Sequence, residues 1–120
     1  MFLSLGWSGR GRITIVIDET TIRAVADLLR QADPTSRVIL FGSHARGDAH
    51  EASDLDLLVV QPDRRNVIEE YVRLRLAIRP LRVPVDLIVT DAREFADWSD
   101  TPGTLYFEAA REGRVLNDAA

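Results

Sequence analysis

The stretch from residue 37 to residue 60 limits the fold of this chain more than any other part of its sequence. An unbroken apolar run at residues 38–41 ends on Gly42 and Ser43, and a second run begins with Asp54-Leu55-Asp56 after ten intervening residues. A strand that is apolar on both faces must be covered on both faces, so it belongs inside a sheet with helices on its two sides. The two runs therefore predict two interior strands joined by a short polar connection.

The rest of the chain alternates between helical and extended patterns. Residues 13–17 predict a short strand, residues 83–89 a third long strand, and residues 114–116 a last short one. Four helices are predicted between these strands, at residues 18–32, 64–79, 91–98 and 101–113. Their predicted N-caps are Asp18, Asp63, Asp91 and Thr101. The longest helix carries an apolar stripe that should face inward, made of Val67, Ile68, Tyr71, Val72, Leu74 and Ile78. This order predicts an α/β (α+β) fold with a small mixed sheet of about three to four strands flanked by helices.

Two carboxylates open the second interior strand. Side chains alternate along a strand, so Asp54 and Asp56 point to the same face, about 7 Å apart. Like charges at the rim of a core raise each other's pKa unless a cation offsets them. A divalent ion such as Mg²⁺, bound by carboxylates and substrate phosphates, is the natural offset. The alternative is an ordinary pair of solvent-exposed aspartates at the start of a strand.

Asp86 repeats this pattern on the predicted third strand, where it interrupts an apolar sequence. A carboxylate in such a place is costly unless it is paired, hydrogen-bonded or bound to a metal. Three carboxylates on adjacent strands indicate a site for two metal ions about 4 Å apart, which clamp the attacking and leaving oxygens. A structural aspartate paired with an arginine at the edge of the sheet is the equally weighted alternative.

Gly42 and Ser43 form the turn at the same end of the predicted sheet. Gly42 lets the backbone approach a ligand closely, and Ser43 begins a helical turn whose free N–H groups attract phosphate. Arg46 can bind a phosphate with two hydrogen bonds, or it can hold the loop by pairing with Asp48 or Glu51. An ordinary strand-to-helix turn would use the same residues, so this turn alone is weak support for a nucleotide site.

Composition narrows the classes of partner. The net charge of −4 argues against a sequence-independent grip on nucleic acid or an anionic membrane. The absence of cysteine removes disulfides and thiolate chemistry and fits the cytoplasm.

Residues 1–12 have too short an apolar core for a signal peptide, so we expect a flexible tail before a single domain at residues 13–120. A lone histidine such as His44 is more often a surface residue than a catalytic one. The arginines of the long helix indicate a solvated face, with docking to an acidic partner as the alternative.

The motifs in combination resemble those of a known family. Gly42-Ser43, ten residues, Asp54-Leu55-Asp56 and then Asp86 stand in the order and spacing of the nucleotidyltransferase superfamily, which shares the DNA polymerase beta-like fold. The resemblance runs from about residue 38 to residue 116. The fuller strings, residues 42–47 and 53–57, are similar to the minimal nucleotidyltransferase (MNT) branch. Residues 111–116 also match its usual end, although Asn117 stands where an aromatic residue often follows.

The resemblance implies a role for each matching residue. Asp54 and Asp56 would bind two Mg²⁺ ions, or Mn²⁺ in their place. Asp86 would bind the catalytic ion and help to deprotonate the acceptor hydroxyl, while Gly42 and Ser43 would hold the β- and γ-phosphates. In the implied reaction a hydroxyl attacks the α-phosphorus of a nucleoside triphosphate, with ATP as the expected donor, and pyrophosphate leaves.

The size of the chain narrows the implied acceptor. No further domain that could hold a second substrate is recognised, and MNT proteins of this size resemble antitoxins encoded beside a HEPN-family ribonuclease toxin. The resemblance therefore implies a protein adenylyltransferase that modifies a hydroxyl of its toxin partner. Two alternatives stay open: an antitoxin that masks the toxin by binding alone, and a nucleotidyltransferase that acts on a small molecule or RNA. A homodimer and a hetero-oligomer with the toxin are both compatible with the sequence.

Overall fold

The computed structural model describes residues 4–7 and 13–116, and its centre is a four-stranded mixed sheet. The strands are β1 Ser4–Trp7, β2 Ile13–Val16, β3 Arg37–Phe41, β4 Leu55–Gln61, β5 Val85–Asp91 and β6 Arg114–Val115. The helices are α1 Glu19–Ala32, α2 Ser43–Arg46, α3 Val67–Ile78, α4 Ala92–Trp98 and α5 Leu105–Glu112, and a 3-10 turn, Arg79–Leu81, follows α3. None of the helices in the described part of the chain combines the length and apolar character that a membrane crossing requires.

The two apolar runs form the interior of the sheet, as the sequence predicts. The strand order is β5-β4-β3-β6, in which β3 pairs antiparallel with both β4 and β6 while β4 and β5 run parallel. Leu40, Leu55, Leu57 and Leu58 on the two central strands have no exposed surface. The α/β fold with a small mixed sheet is therefore confirmed. Separately, β1 and β2 pair antiparallel.

Two layers of helices cover the two faces of the sheet. Leu57 belongs to a core formed with α1 and α3, through residues such as Leu29 and Leu74. Leu58, the next residue of β4, belongs to a second core formed with α5, through Ala109. Because side chains alternate along a strand, Asp56 lies on the same face as Leu58. The carboxylates are thus on the α5 side of the sheet.

A buried carboxylate joins the end of α1 to the far end of the sheet. Asp33 is 4% exposed and accepts hydrogen bonds from Ser36, Thr35, Gln61 and Arg65. Burial alone would raise its pKa, but these hydrogen bonds and the Arg65 charge hold the pKa of Asp33 at about 2. These hydrogen bonds hold the segment that connects β4 to α3, at the opposite end of β4 from Asp54.

For the helix predicted at residues 64–79 the start is wrong and the inward stripe is confirmed only in part. It is also not the longest helix, since α3 has 12 residues and α1 has 14. The helix begins at Val67, with the Asn66 side chain as its N-cap, because Asp63 instead pairs with Arg65. Of the six predicted inward residues only Leu74 and Ile78 are buried. The other four have 41–72% of their surface exposed, because α3 packs on α1 and β5 with only one side of a wide apolar surface.

Two predictions at the chain ends also differ from the structure. The last helix begins at Leu105, with Thr104 as its N-cap, because Thr101–Gly103 form a turn in which Gly103 has a φ of +88°. The N-cap at Asp91 is confirmed, since its carboxylate accepts the Glu94 amide hydrogen, but the Glu94 side chain accepts from the Tyr106 hydroxyl instead of completing a capping box. Within the expected tail, Ser4–Trp7 is a strand, while residues 1–3 and 8–12 lie outside the described residues.

Candidate active site

The glycine turn and the first carboxylates meet because β3 and β4 are antiparallel neighbours. In their register Phe41, the last residue of β3, lies opposite Asp56. Gly42 follows Phe41 directly, and Asp54 immediately precedes β4. A hydrogen bond from the Leu55 amide to the Pro84 carbonyl, 2.9 Å long, joins this end of β4 to β5. Three chain segments far apart in sequence are thereby brought to one edge of the sheet.

Gly42 is required by both its conformation and its surroundings. Its φ of +74° and ψ of −156° lie in a region that is essentially restricted to glycine. A Cβ atom at this position would stand 2.1 Å from Oδ2 of Asp56. The backbone of the turn therefore rests directly against the carboxylate of β4.

The carboxylates of the parallel strands lie side by side. Asp56 of β4 is the register partner of Asp86 of β5. Asp56 is partly buried, whereas Asp54 and Asp86 are exposed. Burial raises the pKa of Asp56, and the negative charges of Asp86, Glu108 and Asp54 raise it further, while His44 acts in the opposite direction. The edge therefore concentrates negative charge around one half-buried group.

The donor set matches a divalent ion that is shared with a substrate. Among the described residues, no group of three or more His, Cys, Asp or Glu side chains stands close enough to hold a metal ion by itself. Mg²⁺ commonly uses one or two carboxylates and completes its shell with water and substrate phosphates. Asp56 fits this description, because an adjacent cation would offset the charges that raise its pKa.

The turn after Gly42 is held in one shape by local contacts. The amides of Ala45 and Arg46 donate to the Gly42 carbonyl, and Gly47 closes α2 in the left-handed conformation that its position predicts. His44 lies within hydrogen-bond distance of the Ser53 carbonyl, with 3.2 Å from Nε2 to the oxygen. His44 thus ties the turn to the residue that precedes Asp54.

Arg46 is engaged by acidic side chains on the surface. Its guanidinium contacts Asp48 at 3.2 Å, Glu108 at 2.8 Å and Glu112 at 3.4 Å. The pairing with Asp48 is one of the alternatives that the sequence left open. The contacts with α5 were not expected, and they place Arg46 as a link between α2 and α5.

Glu108 is the acidic residue at this edge that sequence reasoning missed. It lies on α5, binds Arg46, and its charge contributes to the raised pKa of Asp56. The only sequence signal was its place directly before Ala109, on the flank of the helix stripe that faces the sheet. Its proximity to Asp56 depends on how α5 packs, which no local pattern reports.

A family model matches this sequence, and solved structures match its fold. A family model described as a nucleotidyltransferase domain matches residues 22–111. The structure of a candidate minimal nucleotidyltransferase is 32% identical with a TM-score of 0.58, and the match covers 82% of this chain and 95% of that one. A toxin–antitoxin structure with AMP-PNP is 25% identical with a TM-score of 0.54, over 77% of this chain and 68% of that one.

A shorter match comes from a curated protein. A candidate protein adenylyltransferase of Methanocaldococcus jannaschii is 43% identical over 47 residues, which are 39% of this chain and 48% of that protein. The matched segment thus spans about half the length of this curated relative.

Proposed function

Because the chain belongs to the nucleotidyltransferase domain family, we propose that it transfers AMP from ATP to a hydroxyl of a partner protein. We further propose that this partner is a HEPN-type ribonuclease toxin and that the chain is its antitoxin. The match to a candidate protein adenylyltransferase supports a protein acceptor. The likeness to a toxin–antitoxin structure with AMP-PNP supports the pairing with a toxin and the adenine nucleotide.

The observation that carries the proposal is the contact between the glycine turn and the paired carboxylates. Gly42 leaves no room for a Cβ atom against Asp56, and Asp56 stands beside Asp86. A triphosphate lying along the turn would therefore place its phosphates next to these carboxylates. In this proposal Gly42 and Ser43 hold the β- and γ-phosphates, through backbone N–H groups at the start of a helical turn.

Asp54, Asp56 and Asp86 would hold two divalent ions, Mg²⁺ in the simplest case. Bound ions would neutralise the charge that develops on the phosphates. The acceptor hydroxyl oxygen attacks the α-phosphorus, and the bond from that phosphorus to the bridging oxygen of the β-phosphate breaks. The hydroxyl proton passes to the Asp86 carboxylate, and pyrophosphate leaves. The contribution of the protein is then orientation and fixed electrostatics rather than covalent chemistry.

Arg46 has two places in this scheme. It can leave Glu108 to bind a phosphate oxygen, as the sequence motif suggests, or it can stay on α5 and hold the turn in position. The observed contacts with Glu108 and Glu112 favour the second role. An Arg46→Lys variant tests whether the planar fork of donors is needed, because lysine keeps the charge but loses that fork.

The test is transfer of label from α-labelled ATP to the product of the neighbouring gene, with Mg²⁺ present. We expect label on the partner, loss of labelling with EDTA, and loss of labelling in the Asp54→Asn/Asp56→Asn double variant. Asp27→Asn is the matched control, because Asp27 is an exposed aspartate on α1, on the other face of the sheet. Equal labelling by the double variant and the wild type would show that these carboxylates are not catalytic.

A second readout separates catalysis from binding. The double variant is assayed for neutralisation of the toxin in cells and for complex formation with the toxin. Full neutralisation without labelling would mean that the antitoxin acts by masking its partner and not by enzymatic transfer. Loss of neutralisation with complex formation intact supports the proposed transfer.

A further inference from the structure

Helix α3 presents an apolar face that no described element covers. Of the seven large apolar side chains that the described residues expose, five lie on this helix: Val67, Ile68, Tyr71, Val72 and Leu76. Ile68 is 72% exposed, Val72 is 49% exposed and Leu76 is 56% exposed. These three recur every four residues and so form one row along the helix. A contiguous exposed apolar row rimmed by charges is typical of an interaction surface.

The residues of this row are arranged symmetrically about Val72. Ile68 lies four positions before it and Leu76 four positions after it, while Glu69 lies three before and Arg75 three after. If two copies of α3 pack antiparallel with Val72 against Val72, each position before the centre meets the equivalent position after it on the other copy. Ile68 then meets Leu76, and Glu69 meets Arg75, twice each.

The charges at these positions are opposite and available. The Glu69 carboxylate makes no ion pair with the described residues, and the Glu69 backbone amide donates to the Asn66 side chain. Arg75 donates from Nη1 to the Val85 carbonyl at 2.8 Å, and its remaining N–H groups are not used by an acidic residue of the described chain. The pairing thus joins one unpaired carboxylate to one unpaired guanidinium in each half of the interface.

The shape of the surface is also self-complementary. A cavity of about 320 Å³ lies beside Leu76, lined by Arg75, Leu76, Ile78, Arg79, Arg82 and Val83. In the antiparallel pair, Ile68 of the other copy reaches this end of the helix. The most exposed apolar side chain of α3 therefore enters a cavity in its partner, and the symmetry repeats the contact.

One pair of like charges, Arg65 and Arg79, could oppose this packing, but ion pairs within each copy neutralise the charge of Arg65. Arg79 lies seven positions after Val72, and its counterpart seven positions before is Arg65. The Arg65 guanidinium is held at 2.8 Å from Asp33 and at 2.6 Å from Asp63. Its charge is therefore already neutralised where it would approach Arg79.

From this self-complementarity we propose that α3 forms a homodimer interface in which two copies pack antiparallel about Val72. An interface made mainly by one helix pair lies at the small end of specific complexes, about 1,200 Å² or less, so the dimer dissociates in the micromolar range. The interface lies on the face of the sheet opposite Asp56, so the candidate active site stays open in the dimer. The dimer does not depend on the proposed transfer activity.

Sedimentation equilibrium over about 1 to 100 µM protein tests the dimer. We expect wild type to change from monomer to dimer over this range. Val72→Glu places two carboxylates at the symmetry axis and should raise the dimer dissociation constant roughly 100-fold. Trp98→Glu is the matched control, because Trp98 is 48% exposed on α4 and lies outside the row. Circular dichroism establishes that both variants are folded.

Cysteine cross-linking tests the geometry, since the chain has no cysteine of its own. With a short bis-maleimide, Val72→Cys should form a covalent dimer in high yield, and Ala110→Cys, an exposed position on α5, should not. The proposal is overturned if wild type stays monomeric at about 100 µM, if Val72→Glu and Trp98→Glu weaken association equally, or if both cysteine variants cross-link alike. Protection of Val72→Cys from modification only after a different protein is added would also overturn it.

Discussion

Replacement of Gly42 by alanine tests the central contact of the candidate active site. Gly42 combines a φ of +74° with a ψ of −156°, and its missing Cβ would lie 2.1 Å from the nearer carboxylate oxygen of Asp56. An L-residue in this region of the map costs about 1–3 kcal/mol. The clash adds to this cost, because the carboxylate must move or the turn must shift by about an ångström.

Gly47 supplies a matched control for the conformational part of this cost. It has a positive φ of +85° with a ψ of 12°, and a Cβ there would meet nothing within 4 Å. Alanine in this left-handed conformation should cost about 1–2 kcal/mol. We therefore expect Gly42→Ala to lower the free energy of unfolding by about 3 kcal/mol or more, clearly more than Gly47→Ala.

Urea denaturation followed by circular dichroism measures both variants. If the proposed function is correct, Gly42→Ala also abolishes label transfer at temperatures where it remains folded, because Asp56 no longer stands where the phosphates arrive. Gly47→Ala should retain most of the activity. Equal destabilisation by the two substitutions would refute the inference that Gly42 is needed for its contact with Asp56.

Three further predictions follow from the electrostatics of the fold. Burial and the charges of neighbouring carboxylates raise the pKa of Asp56. Its ionised form therefore opposes folding when the pH is above the ordinary aspartate pKa. Asp56→Asn should raise the melting temperature at pH 7, although it should abolish transfer. The pKa of Asp33 falls from 3.8 to about 2 on folding. This shift contributes about 2 kcal/mol to the free energy of unfolding above pH 4, and the contribution is lost as the pH falls towards 2. Asp33→Asn should lose this contribution and show a flatter acid-unfolding curve. His44→Ala removes the contact with the Ser53 carbonyl and should cost about 1 kcal/mol in urea titration, while an unchanged midpoint would show that this contact does not hold the loop.

The sequence predicted the elements that depend on local patterns. The apolar runs at residues 38–41 and 55–60 identify interior strands because each is apolar on both faces, and the structure places both at the centre of the sheet. Gly47 ends α2 in the left-handed conformation, and Asp91 caps α4, since both features depend on a few adjacent residues. Local signals were less reliable where several caps compete, as at Asp63 and Thr101.

The sequence by itself determined which residues could form a site: a glycine turn, two aspartates at a strand start, and one aspartate in an apolar strand. Only the tertiary structure decided that Glu108 joins them and that Arg46 is held by α5, because those contacts link residues more than 50 positions apart. It also decided that four of the six residues in the predicted inward stripe of α3 stay exposed. Periodicity shows which side of a helix is apolar, but only packing determines how much of that side another element covers.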